Sequence, residues 1–268
     1  MAVEMNPGFR SIGSGLTQPV QPGEEPSGDE GSSVGTQGAS PQLEGYYKDS
    51  FQKAAFSPAI FGPDPTAVPA DSVRVPGQTV YQKRFPKLES NDHDPLVKKD
   101  AIVIHQTGAE TAQSTFNQYE NPGSKSREGV GAHFLVDTDG TIYQTAGLDR
   151  QAWHVGQVKS RCQEEGTCSP ADEQALKKAG PQAIDDYEKK KAYPDRYPTN
   201  QDSIGIEVVG AFDKKTGQYS PPTDAQIKAT GGLVNALRAK YGIGEKDVYP
   251  HEQISHKSPG EGSGFGYD

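Results

Sequence analysis

The strongest constraint on the fold comes from apolar runs that are too short for helices and that alternate with helical segments. AIVIH (101–105) and SIGIEVV (203–209) are rich in β-branched residues, as is typical of buried strands. Asp139-Gly140 separates two further strand-like runs, a hairpin signal because glycine accepts positive φ at little cost. Strands interspersed with helices predict an α/β domain with a mixed central β-sheet flanked by helices.

The best-defined helix begins near Thr223. Gln226 follows three residues later at the spacing of a capping box, and Gly242 is a suitable residue to end the helix. One apolar stripe is expected to face the core. It consists of Ile227, Leu233, Val234, Leu237 and Tyr241.

The composition changes along the chain and suggests three parts. Residues 1–44 are rich in Gly, Pro, Ser, Glu and Gln, so we expect them to be disordered, because they cannot bury enough apolar surface to offset the ordering entropy. Residues 45–98 contain aromatic and proline-rich stretches and are predicted to be a partly ordered lead-in packed on the main domain. The main domain is expected at 99–268, with a polar helical insert at 157–202.

The insert carries both cysteines of the chain. Two helices are predicted in it, over 173–178 and 181–191, with Ser169 as the first N-cap. Cys162 and Cys168 could be two reduced thiols or a loop-closing disulfide, which would indicate an oxidising compartment. A zinc-binding pair is disfavoured because no second Cys/His pair follows at finger-like spacing.

Charge and hydropathy exclude two classes of function. There are 27 Lys and Arg against 36 Asp and Glu, a net charge of −9, which argues against sequence-independent binding of nucleic acid. No apolar run approaches the roughly 20 residues that span a bilayer. The first residues, MAVEMNPGFRSIGSG, lack the apolar core of a secretory signal, so no cleavable signal peptide is expected.

Two histidines stand where ligand groups are often found. His105 ends an apolar strand, and His251 follows the short apolar run Val248-Tyr249. Side chains at strand ends emerge at the sheet rim, and two imidazoles there can bind zinc. Each histidine taken alone is more often an ordinary surface or hydrogen-bonded residue than a metal ligand, and no HExxH-type local spacing is present.

Glu207 interrupts an otherwise apolar strand. Inside an apolar wall its pKa would rise toward the range useful for a general base, whereas simple alternation would place it on a solvated face. Trp153-His154 combines an apolar slab with a hydrogen-bonding ring, which suits a sugar or peptide ligand and equally suits the edge of a core.

Taken together, the motifs resemble a known family. IVIHQT (102–107), GAHFLVDTDGTIYQ (131–144), AWHVG (152–156), SIGIEVVG (203–210) and a K-x-P-G loop after His251 occur in the order seen in type 2 N-acetylmuramoyl-L-alanine amidases. These zinc amidases are related to peptidoglycan recognition proteins. The resemblance covers roughly 99–262. The Cys-containing insert, PDRYPTN and HEQISHKSPGEG look most like amidases delivered by bacterial secretion systems as antibacterial effectors.

The resemblance implies roles for individual residues. It makes His105 and His251 zinc ligands and Glu207 the water-activating base, since Ala132 stands where other branches carry a catalytic Tyr. The third ligand position of the family motif falls on Ser258, a poor zinc ligand, with Glu261, His256 or water as alternatives. The remaining roles fall on Lys257 for the oxyanion and on Trp153, His154 and His133 for the substrate.

The implied function is zinc-dependent hydrolysis of the amide between the lactyl group of N-acetylmuramic acid and L-alanine in peptidoglycan. Ser258 also suggests an alternative, a non-catalytic peptidoglycan-binding module with an incomplete metal site. An effector would be secreted without a cleavable signal, act in the periplasm of a target cell and have a neutralising immunity protein as a partner. A cytoplasmic location is the alternative.

Overall fold

The computed structural model describes residues 68–89, 93–121, 129–256 and 259–265. The strands are β1 (Val80–Gln82), β2 (Ala101–Gly108), β3 (Phe134–Val136), β4 (Ile142–Gln144), β5 (Ser203–Asp213), β6 (Gln218–Tyr219) and β7 (Val248–Pro250). The helices are α1 (Ala112–Glu120), α2 (Arg161–Glu165), α3 (Pro170–Leu176), α4 (Pro181–Glu188), α5 (Asp224–Tyr241) and α6 (His251–Ile254), with a 3₁₀ turn at Glu245–Asp247.

These strands form one mixed sheet in the order β1-β4-β3-β5-β2-β7, with β6 paired to β5. The pairs β1–β4, β3–β5, β5–β2 and β2–β7 are parallel, whereas β3–β4 and β5–β6 are antiparallel. The predicted α/β class with a central sheet flanked by helices is confirmed. The hairpin at Asp139-Gly140 is also confirmed, as the β3–β4 connection, where Gly140 has φ 84°.

Helix α5 covers one face of the sheet. Thr223 and Gln226 form the predicted capping box, and Gly242 ends the helix in the left-handed conformation. Leu233, Val234 and Leu237 are at most 1% exposed and pack on the apolar side chains of the central strands. Ile227 was predicted to lie in this stripe, which is wrong, because its side chain is 37% exposed and lies outside the buried face.

The opposite face is covered in two parts. Near β3, helix α1 packs Phe116 and Tyr119 against Leu135. Near β2 and β7, the chain around the insert packs Val155, Val158 and Tyr197 against alternate residues of the strands. Since side chains alternate along a strand, His105 shares this second face with Val103, and the site therefore develops under the insert rather than under α5.

Residues 68–89 and 93–98 belong to the domain itself. Strand β1 pairs with β4 in the sheet, and Val73, Val75 and Leu96 are buried in the same core as α5. A boundary at 99 would therefore cut through the core. The disorder predicted for 1–44 and the start of the lead-in lie outside the described residues.

The insert contains three helices, α2 to α4. Ser169 caps α3 with a capping box, so that helix begins at Pro170 and is earlier than the predicted 173–178. The sequence did not indicate α2, which has only five residues and no side-chain cap. Of the two alternatives for the cysteines, the structure contains the disulfide, which joins Cys162 to Cys168. None of the helices in the described part of the chain is long and apolar enough to cross a membrane.

Candidate metal centre and active site

The pairing of β2 with β7 brings the two predicted ligand histidines together. Ile104 lies opposite Pro250, so the residues that follow them, His105 and His251, are neighbours where β7 ends. Strand β2 continues to Gly108, so His105 lies within the strand and not at its end as predicted. Their Nδ1 atoms are 2.8 Å apart, and both side chains are at most 2% exposed. Residues 146 positions apart in sequence thus form one buried pair.

Glu261 completes this group. Its Oε1 lies 2.6 Å from Nδ1 of His251 and 3.6 Å from Nδ1 of His105. One ligand atom from each of the three buried residues lies within 4.8 Å of the others. Among the alternatives for a third ligand, Glu261 is therefore the residue in the cluster. His256 is exposed, and Ser258 and Lys257 lie outside the described residues.

The loop that carries Glu261 is held by the residue after His251. Glu252 accepts hydrogen bonds from the backbone N–H of Gly260 at 2.6 Å and from the hydroxyl of Ser263. Its own N–H donates to the carbonyl of Glu261. Gly262 has φ 83°, and a Cβ there would stand 2.0 Å from the carbonyl oxygen of Ile104. Only glycine therefore allows the Glu261 loop to lie this close to β2.

The charges and donor atoms of this cluster suit zinc. Burial raises the pKa of Glu261, but its hydrogen-bond and charge interactions with His105 and His251 outweigh it, so its pKa lies well below the usual value. Glu261 is therefore an anion at neutral pH. Two imidazole nitrogens and a carboxylate oxygen are a donor set that zinc uses in hydrolytic sites, where a further position stays open.

Glu207 stands beside the cluster. It pairs with His105 on one side and with Leu135 on the other, and its side chain is half-buried. Burial, and then the charge of Glu207, raise the pKa of Tyr119 well above its usual value. Tyr119 therefore stays a neutral phenol close to a carboxylate, a neighbour that the sequence did not indicate.

His133 and His154 are interior residues. His133 has no exposed surface; its Nε2–H donates to the carbonyl of Arg150 at 2.9 Å, and its Nδ1 accepts from the N–H of Gly205 at 3.0 Å. Burial lowers the pKa of His133 to about 4. This corrects the expectation that His133 lines a substrate groove, because every polar atom of its ring is used inside the domain.

His154 is 7% exposed, and its Nδ1 lies 3.0 Å from Nε2 of His105. Burial, and then the neighbouring histidines, lower its pKa well below the usual value, so the ring is neutral. Trp153 points elsewhere: it is half-buried and stacks on His93 with ring centroids 4.0 Å apart. Of the three predicted substrate residues, Trp153 retains the most exposed surface.

The sequence did not indicate several residues that position the candidate ligands without being ligands themselves. Asn200 accepts a hydrogen bond from the backbone N–H of His154, the carbonyl of Val155 contacts His251, and Gly262 allows Glu261 to approach. The only signals were indirect: Asn200 lies in the PTN segment, and Gly262 lies in a glycine-rich ending. Neither signal specified a contact.

A buried pair of imidazoles, an anionic carboxylate and a second carboxylate alongside are typical of a metal-dependent hydrolase. A family model described as N-acetylmuramoyl-L-alanine amidase (Amidase_2) matches residues 95–261, more than half of the chain. The chain belongs to this amidase family.

The chain is also similar to solved amidase and endolysin structures at low identity. A selenomethionine AmpD derivative is 21% identical, covers 68% of this chain and 87% of its own, and has a TM-score of 0.44. The endolysin N-acetylmuramoyl-L-alanine amidase LysCS from Clostridium intestinale is 17% identical, with coverages of 71% and 91% and a TM-score of 0.45. A mutant endolysin from Bacillus subtilis is 20% identical, with coverages of 68% and 90% and a TM-score of 0.41. No curated protein matches the sequence significantly.

Proposed function

We propose that this protein is a zinc-dependent amidase that hydrolyses the bond between the lactyl group of N-acetylmuramic acid and L-alanine in peptidoglycan. Membership of the amidase family supports peptidoglycan as the substrate. The observation that carries the proposal is the convergence of His105, His251 and Glu261, with Glu207 on the neighbouring strand.

The ligand residues would hold the metal through Nδ1 of His105, Nδ1 of His251 and a carboxylate oxygen of Glu261. Zinc, when bound, supplies positive charge that polarises the scissile carbonyl and lowers the pKa of a water molecule to about 7. The acidity of Glu261 suits this role, because the carboxylate needs no deprotonation at neutral pH.

Glu207 is the proposed general base. It accepts a proton as the water oxygen bonds to the lactyl carbonyl carbon, and it returns that proton to the L-alanine nitrogen as the C–N bond breaks. The products are a lactyl carboxylate and a stem peptide with a free amino group on L-alanine. We assign Lys257 to the oxyanion and Trp153 to substrate contact, in keeping with the family resemblance.

The test is product analysis on purified sacculi. We expect stem peptides with L-alanine at the new amino terminus, loss of activity with a chelator and recovery with added zinc. New sugar-reducing ends without free stem peptides would indicate a glycosidase and overturn the proposal. Binding to sacculi without cleavage would indicate the non-catalytic alternative, which rested on Ser258 and loses support because Glu261 offers a carboxylate.

We further propose that the enzyme is an antibacterial effector that acts in the periplasm of a target cell and is neutralised by an immunity protein in the producing cell. The Cys162–Cys168 disulfide supports this, because such bonds persist in oxidising compartments. Expression in a bacterium should be toxic only when a periplasmic signal is attached. Toxicity of the unmodified protein in the cytoplasm would contradict it.

A further inference from the structure

The two-residue segment His154-Val155 contacts the Nε2 atoms of both candidate ligand histidines, His105 and His251. Nε2 of His251 lies 2.8 Å from the carbonyl oxygen of Val155. A carbonyl oxygen can only accept, so the hydrogen of the neutral imidazole is on Nε2. Nδ1 of His251 is then left with a lone pair that points toward Glu261 and His105.

His154, the residue before Val155, fixes the tautomer of His105 in a similar way. Ser203 donates its hydroxyl hydrogen to the carbonyl of Thr199 at 2.6 Å, so its oxygen can only accept from Nε2 of His154, 3.4 Å away. The neutral His154 ring thus carries its hydrogen on Nε2 and accepts at Nδ1 from Nε2–H of His105, 3.0 Å away. Nδ1 of His105 is left as the ligand atom.

Asn200 fixes the segment itself. Its side-chain oxygen accepts from the backbone N–H of His154 at 3.1 Å and of Val155 at 2.9 Å. The loop of Asn200 is tied down in turn, because the buried Asp202 accepts from the N–H of Thr199 at 2.7 Å and from Arg196 at 2.6 Å.

Strand β5 also restricts the position of the His154 ring. A Cβ at Gly205 would stand 2.8 Å from the nearest atom of the His154 ring, so only glycine allows the ring to lie flat against β5. His154 is therefore held by a hydrogen bond on each nitrogen and by the strand beneath it.

We propose that His154 and Asn200 are positioning residues that set the tautomer and orientation of both ligand histidines, with Asn200 acting through the backbone N–H groups of His154 and Val155. The inference rests on the proposed zinc amidase, since the oriented nitrogens are those assigned to the metal. Loss of such outer partners costs about 10–100-fold in metal affinity. His154 thereby gains a role inside the site instead of on the substrate surface.

The test measures zinc affinity by competition with a chromophoric chelator. Asn200→Ala removes the acceptor for two N–H groups and should weaken zinc binding about 10–100-fold, whereas Asn200→Asp keeps an acceptor oxygen and should bind nearly as the unmodified protein does. His154→Phe keeps a ring of similar size without the acceptor and should also weaken binding. Asn117→Ala, on the exposed face of α1, is the matched control.

A second readout separates positioning from stability. The visible spectrum of the cobalt-substituted protein reports ligand geometry and should change in Asn200→Ala and His154→Phe but not in Asn117→Ala. Unchanged zinc affinity in both Asn200→Ala and His154→Phe would overturn this inference but not the proposed function. A wild-type protein that binds no zinc would overturn the proposed function as well. If Asn200→Ala does not fold, His154→Phe decides by the same measurements.

Discussion

Glu207 lies directly opposite His105 in the parallel pairing of β5 with β2. Paired residues of adjacent strands point to the same face of a sheet, so the carboxylate that interrupts an apolar strand stands next to a candidate metal ligand. The half-buried environment and the neighbouring neutral phenol of Tyr119 favour the general-base interpretation over a solvated face.

Replacing this carboxylate tests its role as a base. Glu207→Gln keeps the size of the side chain but cannot take a proton, so kcat for stem-peptide release should fall about 10²–10⁴-fold. The zinc content and the thermal unfolding midpoint should stay unchanged. Glu173→Gln, which alters an exposed carboxylate on α3, is the control and should retain full activity. An active Glu207→Gln enzyme would assign proton transfer to another group.

The identity of the third ligand can be decided by two alanine variants. Glu261→Ala removes the carboxylate nearest the histidine pair, so the bound zinc should fall from about one equivalent to near zero at micromolar metal, a larger loss than the roughly 10–100-fold for an outer partner. Ser258→Ala should keep the metal. The measurement is zinc content after dialysis. Retention by Glu261→Ala together with loss from Ser258→Ala would reverse the assignment.

Gly262 and Gly260 form a natural matched pair for testing how the Glu261 loop is placed. Both have positive φ, 83° and 85°, so alanine costs each about 1–2 kcal/mol of backbone strain. A Cβ at Gly262 would collide with the backbone of Ile104, whereas one at Gly260 meets nothing within 4 Å. Gly262→Ala should therefore weaken zinc binding in titrations, and Gly260→Ala should not. Equal affinities would show that the loop adapts without moving Glu261.

Local signals in the sequence were enough for most of the framework. The Asp139-Gly140 hairpin and the capping box of Thr223 with Gln226 depend on a few neighbouring residues, and both are present as predicted. His105 and Glu207 were identifiable because each ionisable side chain breaks an apolar run. Their adjacency needs strand register, which the sequence pattern does not specify.

The rest depends on contacts between distant segments. Glu261 reaches the histidine pair because a glycine-rich loop folds back onto β2, a path set by Glu252 and Gly262 rather than by a motif. The family resemblance assigned His133 and His154 to substrate binding, but backbone groups and other histidines satisfy their rings in the interior. Ile227 matched the helical stripe, yet it is 37% exposed although Gln226, Ala229 and Thr230 in the same turns are buried, so it lies on the outer face of α5.

The disulfide should stabilise the folded domain modestly. Cys162 and Cys168 are six positions apart, and closing so short a loop lowers the entropy of the unfolded chain by an amount worth about 2 kcal/mol. A variant with both cysteines replaced by serine should lose about this much free energy of unfolding in urea. Reductant should lower the wild-type stability toward that of the variant and leave the variant unchanged. A variant as stable as the oxidised wild type would contradict this.

His133 makes the stability of the metal-free protein depend on pH. Burial lowers the pKa of His133 from 6.5 to about 4 in the folded state. Between these values the unfolded chain binds the extra proton, so the stability that His133 provides is present above about pH 6.5 and is lost as pH falls toward 4. The loss can reach about 3 kcal/mol, at 1.36 kcal/mol per pKa unit.

The structural cause is the hydrogen bond from Gly205 to Nδ1 of His133, because a protonated Nδ1 would face another donor. His133→Gln can keep a donor and an acceptor but does not titrate, so it should be less stable at neutral pH and lose less stability on acidification than the wild type. Urea unfolding of both proteins at several pH values from 7 to 4, with chelator present, measures the difference. Parallel pH profiles would mean that His133 does not titrate as its burial predicts.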